Sequence, residues 1–378
     1  MADEGVQMEL ARLAIPEEFV ACALAIAARG GIALAAEDLA AALRPDPLGI
    51  MRLSAAPAGA PAWPPRHWLP VQVAGPTIDW AHFAGAPLAG PFFADSVRRA
   101  VAMPFNRLFR YSNALGDFIA NADFEGSLLP DGFVFHMSRC GSTLVSRMLA
   151  AIEGSIAVSE APPLDAIAQL GAGASAMADE HRIAALRAMV AALGRRRSAG
   201  ERRYFVKLDS WHVMAMPLFR QAFPAVPWIF VYRDPVEVMA SQMRMRGMQT
   251  VQGMIPASIY GLEEDFDAPA ELWCARVLGR ICETAAERFA QGGGLLVNHA
   301  DLPGAAWPAI ADHFGIARGE AMRESVMAVG RRDAKAPATA YADDRDGKRS
   351  EATDAVRTAV ARHLAEPYRR LEALRRPL

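Results

Sequence analysis

GFVFHMSRCGSTLVSRMLA, residues 132–150, is the stretch that decides the fold. It begins with a short, mostly apolar run rich in β-forming side chains, which predicts a buried strand. The small, polar segment 138–141 follows as a tight turn, and Ser142 begins an amphipathic helix. Such a turn directs several backbone N–H groups and the positive end of a helix dipole at one point, which favours an anion site. Arg139 and the hydroxyls of Ser142 and Thr143 would add donors there.

Two related phosphate-binding motifs fit this stretch less well. A Walker A loop requires G-x-x-x-x-G-K-[ST], but no lysine precedes the Ser-Thr pair at 142–143, and the first glycine position holds a histidine or a methionine. Cysteine phosphatases space their cysteine and arginine more closely than Cys140 and Arg147, which are separated by six residues. Cys140 could still be a reactive thiol at a helix N-terminus, although a small loop residue is the commoner case.

The composition is that of an ordinary globular protein. The 378 residues are 52% hydrophobic and 22% charged, with a formal net charge of −2, which argues against a general nucleic-acid binder. The four cysteines show neither metal-ligand spacing nor a disulfide framework, so a cytoplasmic location is expected. The acidic N-terminus lacks a signal-peptide pattern, and Arg29 with two glycines interrupts the alanine-rich segment 19–36, so no membrane span is predicted.

From residue 126 to residue 378, strand patterns alternate with helical patterns. This alternation predicts an α/β fold with three layers and a mainly parallel central sheet. A methionine- and glycine-rich excursion at 244–268 interrupts it and is expected to be a substrate-facing lid. The polar tail 331–350 is expected to be a loop that precedes two terminal helices. The predicted strands are 133–137, 155–159, 204–208, 226–232 and 295–298.

The region 1–125 carries no catalytic signature. Its pattern predicts a mostly helical and partly irregular N-terminal extension, which would be a lid or a small module beside the α/β domain. The expected elements are short helices within 1–45, an edge strand at 69–73, and helices at 94–102 and 106–120.

Polar side chains follow each predicted strand of the α/β domain. Ligands of open parallel sheets bind at the carboxyl ends of the strands, so these side chains are expected to converge on one edge. Each has an ordinary structural explanation alone, such as helix capping by Asp234, and their convergence is what favours a binding site. They are Arg139, Cys140, Ser142, Glu160, Lys207, Asp209, Arg233, Asp234, Ser241, His299 and Asp301.

Four segments resemble the P-loop-type sulfotransferases that use 3′-phosphoadenosine 5′-phosphosulfate (PAPS). HMSRCGSTL (136–144) resembles their 5′-phosphosulfate loop, in the variant with arginine in place of lysine. FVYRDPVEVMASQM (230–243) resembles their 3′-phosphate motif, with a serine eight residues after the arginine. VKLDSWHVMAMPLFRQAFP (206–224) resembles their lysine-containing third strand. LLVNHADL (295–302) resembles their Tyr-Glu-Asp-Leu segment with two replacements, and residues 1–125 lie outside the resemblance.

This resemblance implies sulfuryl transfer from PAPS, as co-substrate and without a metal, to a hydroxyl or amine. Lys207 would contact the bridging oxygen or the sulfuryl group. Glu160 is the expected general base, ahead of His212, which lies near the position of the histidine base of cytosolic members but out of register. Lys335, Lys348 and Arg349, in or near the tail, match only loosely the loop that closes over the nucleotide in this family. The residues implied to bind the nucleotide are Arg139, Cys140, Gly141, Ser142, Thr143, Arg233, Ser241, Lys348 and Arg349.

Two other functions remain open from the sequence. A P-loop kinase or nucleotide hydrolase would use Asp209 or Asp234 to bind magnesium, although the missing Walker lysine argues against it. A non-catalytic nucleotide-binding module is the second. The acceptor would be a small molecule or a peptide, and methionines in the excursion hint at a hydrophobic or aromatic alcohol, unless they are core residues. A homodimer is compatible with the sequence, which does not determine the oligomeric state.

Overall fold

The computed structural model describes residues 3–44, 62–88, 90–109, 111–170, 178–317, 319–332 and 345–376, with side chains from residue 347 in the last range. Within these ranges the strands are β1 (Trp68–Ala74), β2 (Thr77–His82), β3 (Tyr111–Ala114), β4 (Gly132–His136), β5 (Ser155–Ser159), β6 (Arg203–Lys207), β7 (Trp228–Tyr232) and β8 (Gly294–Asn298).

The helices in the same ranges include six in the N-terminal extension and eleven in the α/β domain. They are α1 (Glu4–Ala11), α2 (Pro16–Arg29), α3 (Ala36–Ala42), α4 (Phe93–Ala102), α5 (Pro104–Leu108), α6 (Leu115–Ala120), α7 (Ser142–Ala150), α8 (Pro162–Gln169), α9 (Asp179–Leu193), α10 (Met216–Ala222), α11 (Pro235–Arg244), α12 (Ala270–Phe289), α13 (Ala306–His313), α14 (Glu320–Gly330), α15 (Arg345–Glu351), α16 (Asp354–His363) and α17 (Ala365–Leu374).

The central sheet has five parallel strands in the order β5-β6-β4-β7-β8. Every residue of β4 and β7 is buried, as expected for strands that are covered by helices on both faces of a parallel sheet. This confirms the α/β class and the mainly parallel sheet that the alternating pattern predicts. All five predicted strands are present: 155–159 has the predicted bounds, and the other four differ by one or two residues at one or both ends.

The register of the sheet brings the ends of its strands to one edge. Ser159 of β5 pairs with Lys207 of β6, and Tyr232 of β7 pairs with Asn298 of β8. Because the strands are parallel, the residues that follow each strand lie along the same edge. The polar residues singled out in the sequence follow these strands and therefore share that edge.

The N-terminal extension contains a small antiparallel sheet, β1-β2-β3, besides its helices. The edge strand predicted at 69–73 is confirmed as β1, but the single helix predicted at 106–120 is wrong. That segment divides into α5, β3 and α6, because β3 pairs with β2 and Asn113 accepts a hydrogen bond from the Trp80 indole at 2.7 Å. Pairing across strands outweighs the helical pattern there.

The C-terminal region differs from its prediction in two ways. Residues 345–350, predicted to be part of a loop, belong to helix α15, and helix α14 was not predicted. Residues 333–344 of the predicted loop, including Lys335, lie outside the described residues. The two terminal helices are present as α16 and α17. Among the described residues, no helix combines the length and the apolar character that a membrane crossing requires.

Helices α12 and α16 approach each other closely at Gly279. A Cβ atom at this position would overlap the backbone carbonyl oxygen of His363. We therefore expect Gly279→Ala to lower the free energy of unfolding by about 1–3 kcal/mol through overpacking. Gly116 in α6 is the matched control, because a Cβ there meets no atom within 4 Å. Gly116→Ala should be neutral or stabilising by up to about 1 kcal/mol. Urea unfolding of both variants measures the difference, and equal midpoints would contradict this packing.

Candidate active site

The turn between β4 and α7 has an unusual backbone. Ser138 and Arg139 have positive φ angles of 75° and 52°, and Gly141 has a φ of 89°. A Cβ atom at Gly141 would lie 2.7 Å from Nδ1 of His299, so this position requires glycine for space as well as for conformation. No side chain caps the first turn of α7. Positive φ angles before an uncapped helix N-terminus favour the binding of a phosphate-like anion by backbone N–H groups, and we refer to residues 138–143 as the anion-binding turn.

A direct hydrogen bond joins this turn to helix α11. The Nε of Arg139 donates to the hydroxyl of Ser241 at 2.9 Å. Gln242, which is fully buried, donates to the Ser138 hydroxyl at 3.1 Å. The two motifs that the sequence separates by about a hundred residues are thus held in fixed contact.

The turn, the ends of β5 and β6 and the start of α11 enclose a cleft of ≈ 660 Å³. This volume is in the range of small-ligand and cofactor sites. The sequence-predicted residues that line the cleft are Arg139, Cys140, Gly141, Ser142, Thr143, Glu160, Arg233, Ser241 and Lys348. The structure thus brings nearly all of the predicted binding residues together.

Cys140 has a structural role in this turn. Its thiol is fully buried and donates to the carbonyl oxygen of Val231 at 3.0 Å. Burial raises the pKa of Cys140 to about 11. The idea of a reactive thiolate at the helix N-terminus is therefore wrong, because a buried thiol with a raised pKa stays protonated at neutral pH.

An ion pair lies beside the cleft: Glu160 lines the cleft, whereas its partner Lys207 is buried and is not among the lining residues. Lys207, at the end of β6 and 1% exposed, contacts the carboxylate of Glu160 through its ammonium group. Glu160 follows β5 with a positive φ of 48°, and its backbone N–H donates to the carbonyl of Lys207 at 2.8 Å. Burial alone would raise the pKa of Glu160, but the charge of Lys207 and a hydrogen bond from His136 hold this pKa well below its usual value. Glu160 is therefore an ionised carboxylate that faces the cleft.

His136 links this ion pair to the anion-binding turn. Its Nδ1 accepts a hydrogen bond from the backbone N–H of Ser138 at 3.0 Å, so the ring proton must reside on Nε2. That nitrogen lies 2.9 Å from the carbonyl oxygen of Leu208 and 3.3 Å from the carboxylate of Glu160. Burial, followed by the charge of Lys207, lowers the pKa of His136 to about 4. The ring is thus neutral and has one defined tautomer.

His212 lies outside the lining of the cleft. It is 1% exposed, and its Nε2 contacts the carboxylate of Asp165 at 3.1 Å, while Nδ1 accepts the backbone N–H of Asp209 at 3.3 Å. With both ring nitrogens engaged, this side chain has no free position for an acceptor proton. The geometry therefore favours Glu160 over His212 as a base.

Asp209 belongs to the same neighbourhood and does line the cleft. Burial raises its pKa to about 7, with nearby Glu160 and Asp165 acting in the same direction. Ligand atoms of Asp165, Asp209 and His212 lie within 4.8 Å of one another and form a group that could hold a metal ion. Metal binding would have to displace the hydrogen bond between His212 and Asp165.

Arg233 is held by a carboxylate at the start of α11. Its Nε donates to Glu237 at 2.6 Å, and both side chains are almost completely buried. Arg349 of α15 lies 3.0 Å from the other oxygen of Glu237 and 3.3 Å from Asp234. Asp234 itself caps α11 through the N–H groups of residues 236 and 237, as its sequence context suggests. Ion pairs of Arg349 therefore attach helix α15 to the start of helix α11.

The residues of the site that the sequence did not single out include His136, Gln242, Glu237 and Phe92. His136 lies in an apolar strand and resembles a core residue, while Gln242 and Glu237 are ordinary polar residues of a helix. Phe92, from the N-terminal extension, lines the cleft and places its ring 5.6 Å from the ammonium of Lys207. Its Pro-Phe-Phe context gives no functional signal. Only the contacts in the folded chain identify these residues.

The neutral state of His136 predicts a pH dependence of stability. Its pKa is lower in the folded chain than in the unfolded chain, so its stabilising contribution is complete above pH 6.5 and is lost as the pH falls towards 4. The expected loss is about 1.4 kcal/mol per pH unit in that window. His136→Gln, which can keep both hydrogen bonds without titrating, should flatten the dependence measured by urea unfolding. His181→Gln, at an exposed position, is the control. Parallel curves for wild type and His136→Gln would contradict this assignment.

The chain matches no family model, and no curated protein matches it in sequence. Three solved structures are similar to it at low identity. The sulfotransferase domain from the curacin biosynthetic pathway is 15% identical over 62% of this chain and 97% of that domain, with a TM-score of 0.39. Sulfotransferase STF1 from Mycobacterium tuberculosis H37Rv is 14% identical over 73% of this chain and 88% of STF1, with a TM-score of 0.39. The sulfotransferase domain from the Synechococcus PCC 7002 olefin synthase is 16% identical over 67% of this chain and 97% of that domain, with a TM-score of 0.38. At these levels, function has to be argued from the residues of the cleft.

Proposed function

We propose that this chain is a PAPS-dependent sulfotransferase, which moves a sulfuryl group from PAPS to a hydroxyl or amine of an acceptor. The observation that carries the proposal is the hydrogen bond between Arg139 and Ser241. It joins the segment that resembles a 5′-phosphosulfate loop to the segment that resembles a 3′-phosphate motif. Both segments line one cleft, together with the carboxylate of Glu160, which pairs with the buried ammonium of Lys207.

The two ends of the nucleotide have separate sets of donors. The 5′-phosphosulfate would bind at the N-terminus of α7, with the N–H groups of 141–143, the hydroxyls of Ser142 and Thr143, and Arg139. The 3′-phosphate would bind to Arg233 and Ser241. Helix α15 would add Lys348, which lines the cleft, and Arg349. These cations supply positive charge at both phosphate positions.

The reaction is an in-line displacement at sulfur. The acceptor oxygen forms a bond to sulfur while the bond from sulfur to the bridging phosphate oxygen breaks, and adenosine 3′,5′-bisphosphate leaves. Glu160 accepts the proton of the acceptor hydroxyl. Lys207 stabilises the charge that develops on the sulfuryl group or on the leaving oxygen.

The pairing of Lys207 with Glu160 has a consequence for the base. While Lys207 contacts Glu160, the carboxylate has a low pKa and is a weak base. A shift of the ammonium towards the sulfuryl group removes that charge, and the burial that raises the pKa of Glu160 remains. Glu160 would then become more basic when the donor is in place, which couples proton removal to donor binding.

Nucleotide selectivity is the first test. In isothermal titration, the wild type should bind adenosine 3′,5′-bisphosphate in preference to ADP and to ATP with magnesium. Arg233→Ala should weaken that binding at least about tenfold, because a charged hydrogen bond to the 3′-phosphate is lost. Arg276→Ala is the control, since Arg276 pairs with Asp265 and does not line the cleft. Preference for ATP with magnesium would instead support a kinase or hydrolase, and a lack of binding would contradict both.

The identity of the base is the second test. Glu160→Gln should lower the rate of sulfuryl transfer about 100-fold or more, because general base catalysis is lost, while binding of adenosine 3′,5′-bisphosphate remains. The assay follows release of the bisphosphate from PAPS with a panel of hydroxyl acceptors. Asp209→Asn is the comparison, because it removes a second carboxylate of the same cleft. Loss of transfer in Asp209→Asn with normal transfer in Glu160→Gln would assign the base to Asp209.

A further inference from the structure

The segment that follows α11 contains two buried hydrogen-bond donors without partners. These are Nε of Arg246 and the side-chain amide nitrogen of Gln249. Both residues line the cleft. A buried donor without an acceptor is costly and uncommon in folded proteins, so each calls for a specific explanation. Oxygen atoms of a ligand in the cleft would be acceptors for these donors.

These donors occupy a fixed position beside the anion-binding turn. The buried amide of Gln242 donates to the hydroxyl of Ser138 and accepts the backbone N–H of Gly247 at 2.7 Å. The guanidinium of Arg246 is oriented by a second contact, in which Nη2 donates to Gln252 at 2.9 Å. The wall that carries Arg246 is therefore tied to the turn where the phosphosulfate would bind, which is where the acceptor must approach.

Charge favours an anionic group as the ligand of this wall. Arg246 forms no ion pair with any carboxylate of the described residues, in contrast to Lys207 and to Arg349. An arginine and an amide that line one cleft offer donors of the kind that pair with the two oxygens of a carboxylate. A neutral oxygen would satisfy the hydrogen bonds and leave the charge of Arg246 without a counter-ion.

Apolar side chains border the same cleft. Met245 and Met248 line it and are 67% and 41% exposed, so they are available to a ligand and do not belong to the core. Phe92 lines it beside Lys207. These surfaces would bury the body of an apolar molecule.

We propose that the acceptor is an apolar alcohol or phenol that carries a carboxylate, and that Arg246 and Gln249 bind this carboxylate. Its apolar body lies against Phe92 and the cleft methionines, and its hydroxyl faces Glu160. This inference rests on the proposed sulfotransferase function and names the class of acceptor. It refines the hydrophobic or aromatic alcohol that the methionines of the excursion suggest in the sequence.

The test compares acceptors that differ only in the carboxylate. The pairs are para-hydroxyphenylacetate with para-hydroxyphenylacetamide, and a long-chain ω-hydroxy fatty acid with its amide. Binding is measured by saturation-transfer NMR, with and without adenosine 3′,5′-bisphosphate, and sulfation is measured with radiolabelled PAPS. In the wild type, at least one acid should bind and be sulfated in preference to its amide.

Variants of Arg246 and Gln249 test whether these two side chains cause the preference for the acid. Arg246→Met should lower the acid-to-amide ratio of kcat/KM, and the corresponding binding ratio, about tenfold, because a hydrogen bond to a charged group is lost. Arg246→Lys should retain part of the preference, and Gln249→Leu should lower it less than Arg246→Met does. Arg276→Met makes the same chemical change outside the cleft and should leave the ratio unchanged.

Three results would overturn the subsite: equal or better binding of the amides, the same acid-to-amide ratio in wild type and Arg246→Met, or no binding of either acid. Failure of the proposed function gives a different result, namely loss of adenosine 3′,5′-bisphosphate binding by the wild type. The acid-to-amide binding ratio without nucleotide measures the subsite in that case as well.

Discussion

The site depends on one constraint, which is the burial of the Lys207 ammonium. A buried charge is tolerated only when it is paired, and the partner here is fixed by the register of the sheet. Ser159 of β5 pairs with Lys207 of β6, so the next residue, Glu160, emerges beside the lysine. Its positive φ turns the chain at that point, and its carboxylate meets the ammonium. Replacing either residue with a neutral one would leave the charge of the other without its partner. The same pair lies against His136, which extends the constraint to the anion-binding turn.

Much of the α/β domain could be predicted because its strands are short apolar runs between polar turns. The convergence of Arg139, Glu160, Lys207 and Arg233 then follows from topology alone, since each comes just after or at the end of a parallel strand. The extension could not be predicted in the same way. Strand β3 is stabilised by cross-strand partners in β2, about thirty residues earlier, and no local pattern records that pairing. Local propensity gave a helix there, and tertiary contacts outweighed it.

The parts of the site that sequence reasoning missed share one property: their roles depend on contacts between distant segments. Gln242 reaches Ser138, and Phe92 reaches Lys207. His136 shows the limit most clearly, because a histidine in an apolar strand is most often a core residue, and this one is buried as a core residue would be. Its two ring nitrogens nevertheless connect the turn to Glu160. His212 is the reverse case. Its place in the sequence suggests a base, but the fold directs its ring to Asp165.

The cationic side chains in and around the cleft differ in whether a carboxylate of the chain pairs with them. Near the start of α11, Arg233 and Arg349 both contact the buried carboxylate of Glu237. At the ends of β5 and β6, Lys207 pairs with Glu160. Under the proposed function, an incoming phosphate or sulfuryl group would therefore compete with a carboxylate of the chain and would gain less than from an unpaired cation. Such partial compensation would keep the cations ordered before binding and would limit the affinity for a charged product, which would favour its release. Arg246 is arranged differently, because its Nε has no partner and no described carboxylate pairs with it. The charge of Arg246 is therefore not compensated by the described residues of the chain in the way that the charges of Arg233 and Lys207 are. Under the proposal above, a negatively charged acceptor would supply the missing counter-ion.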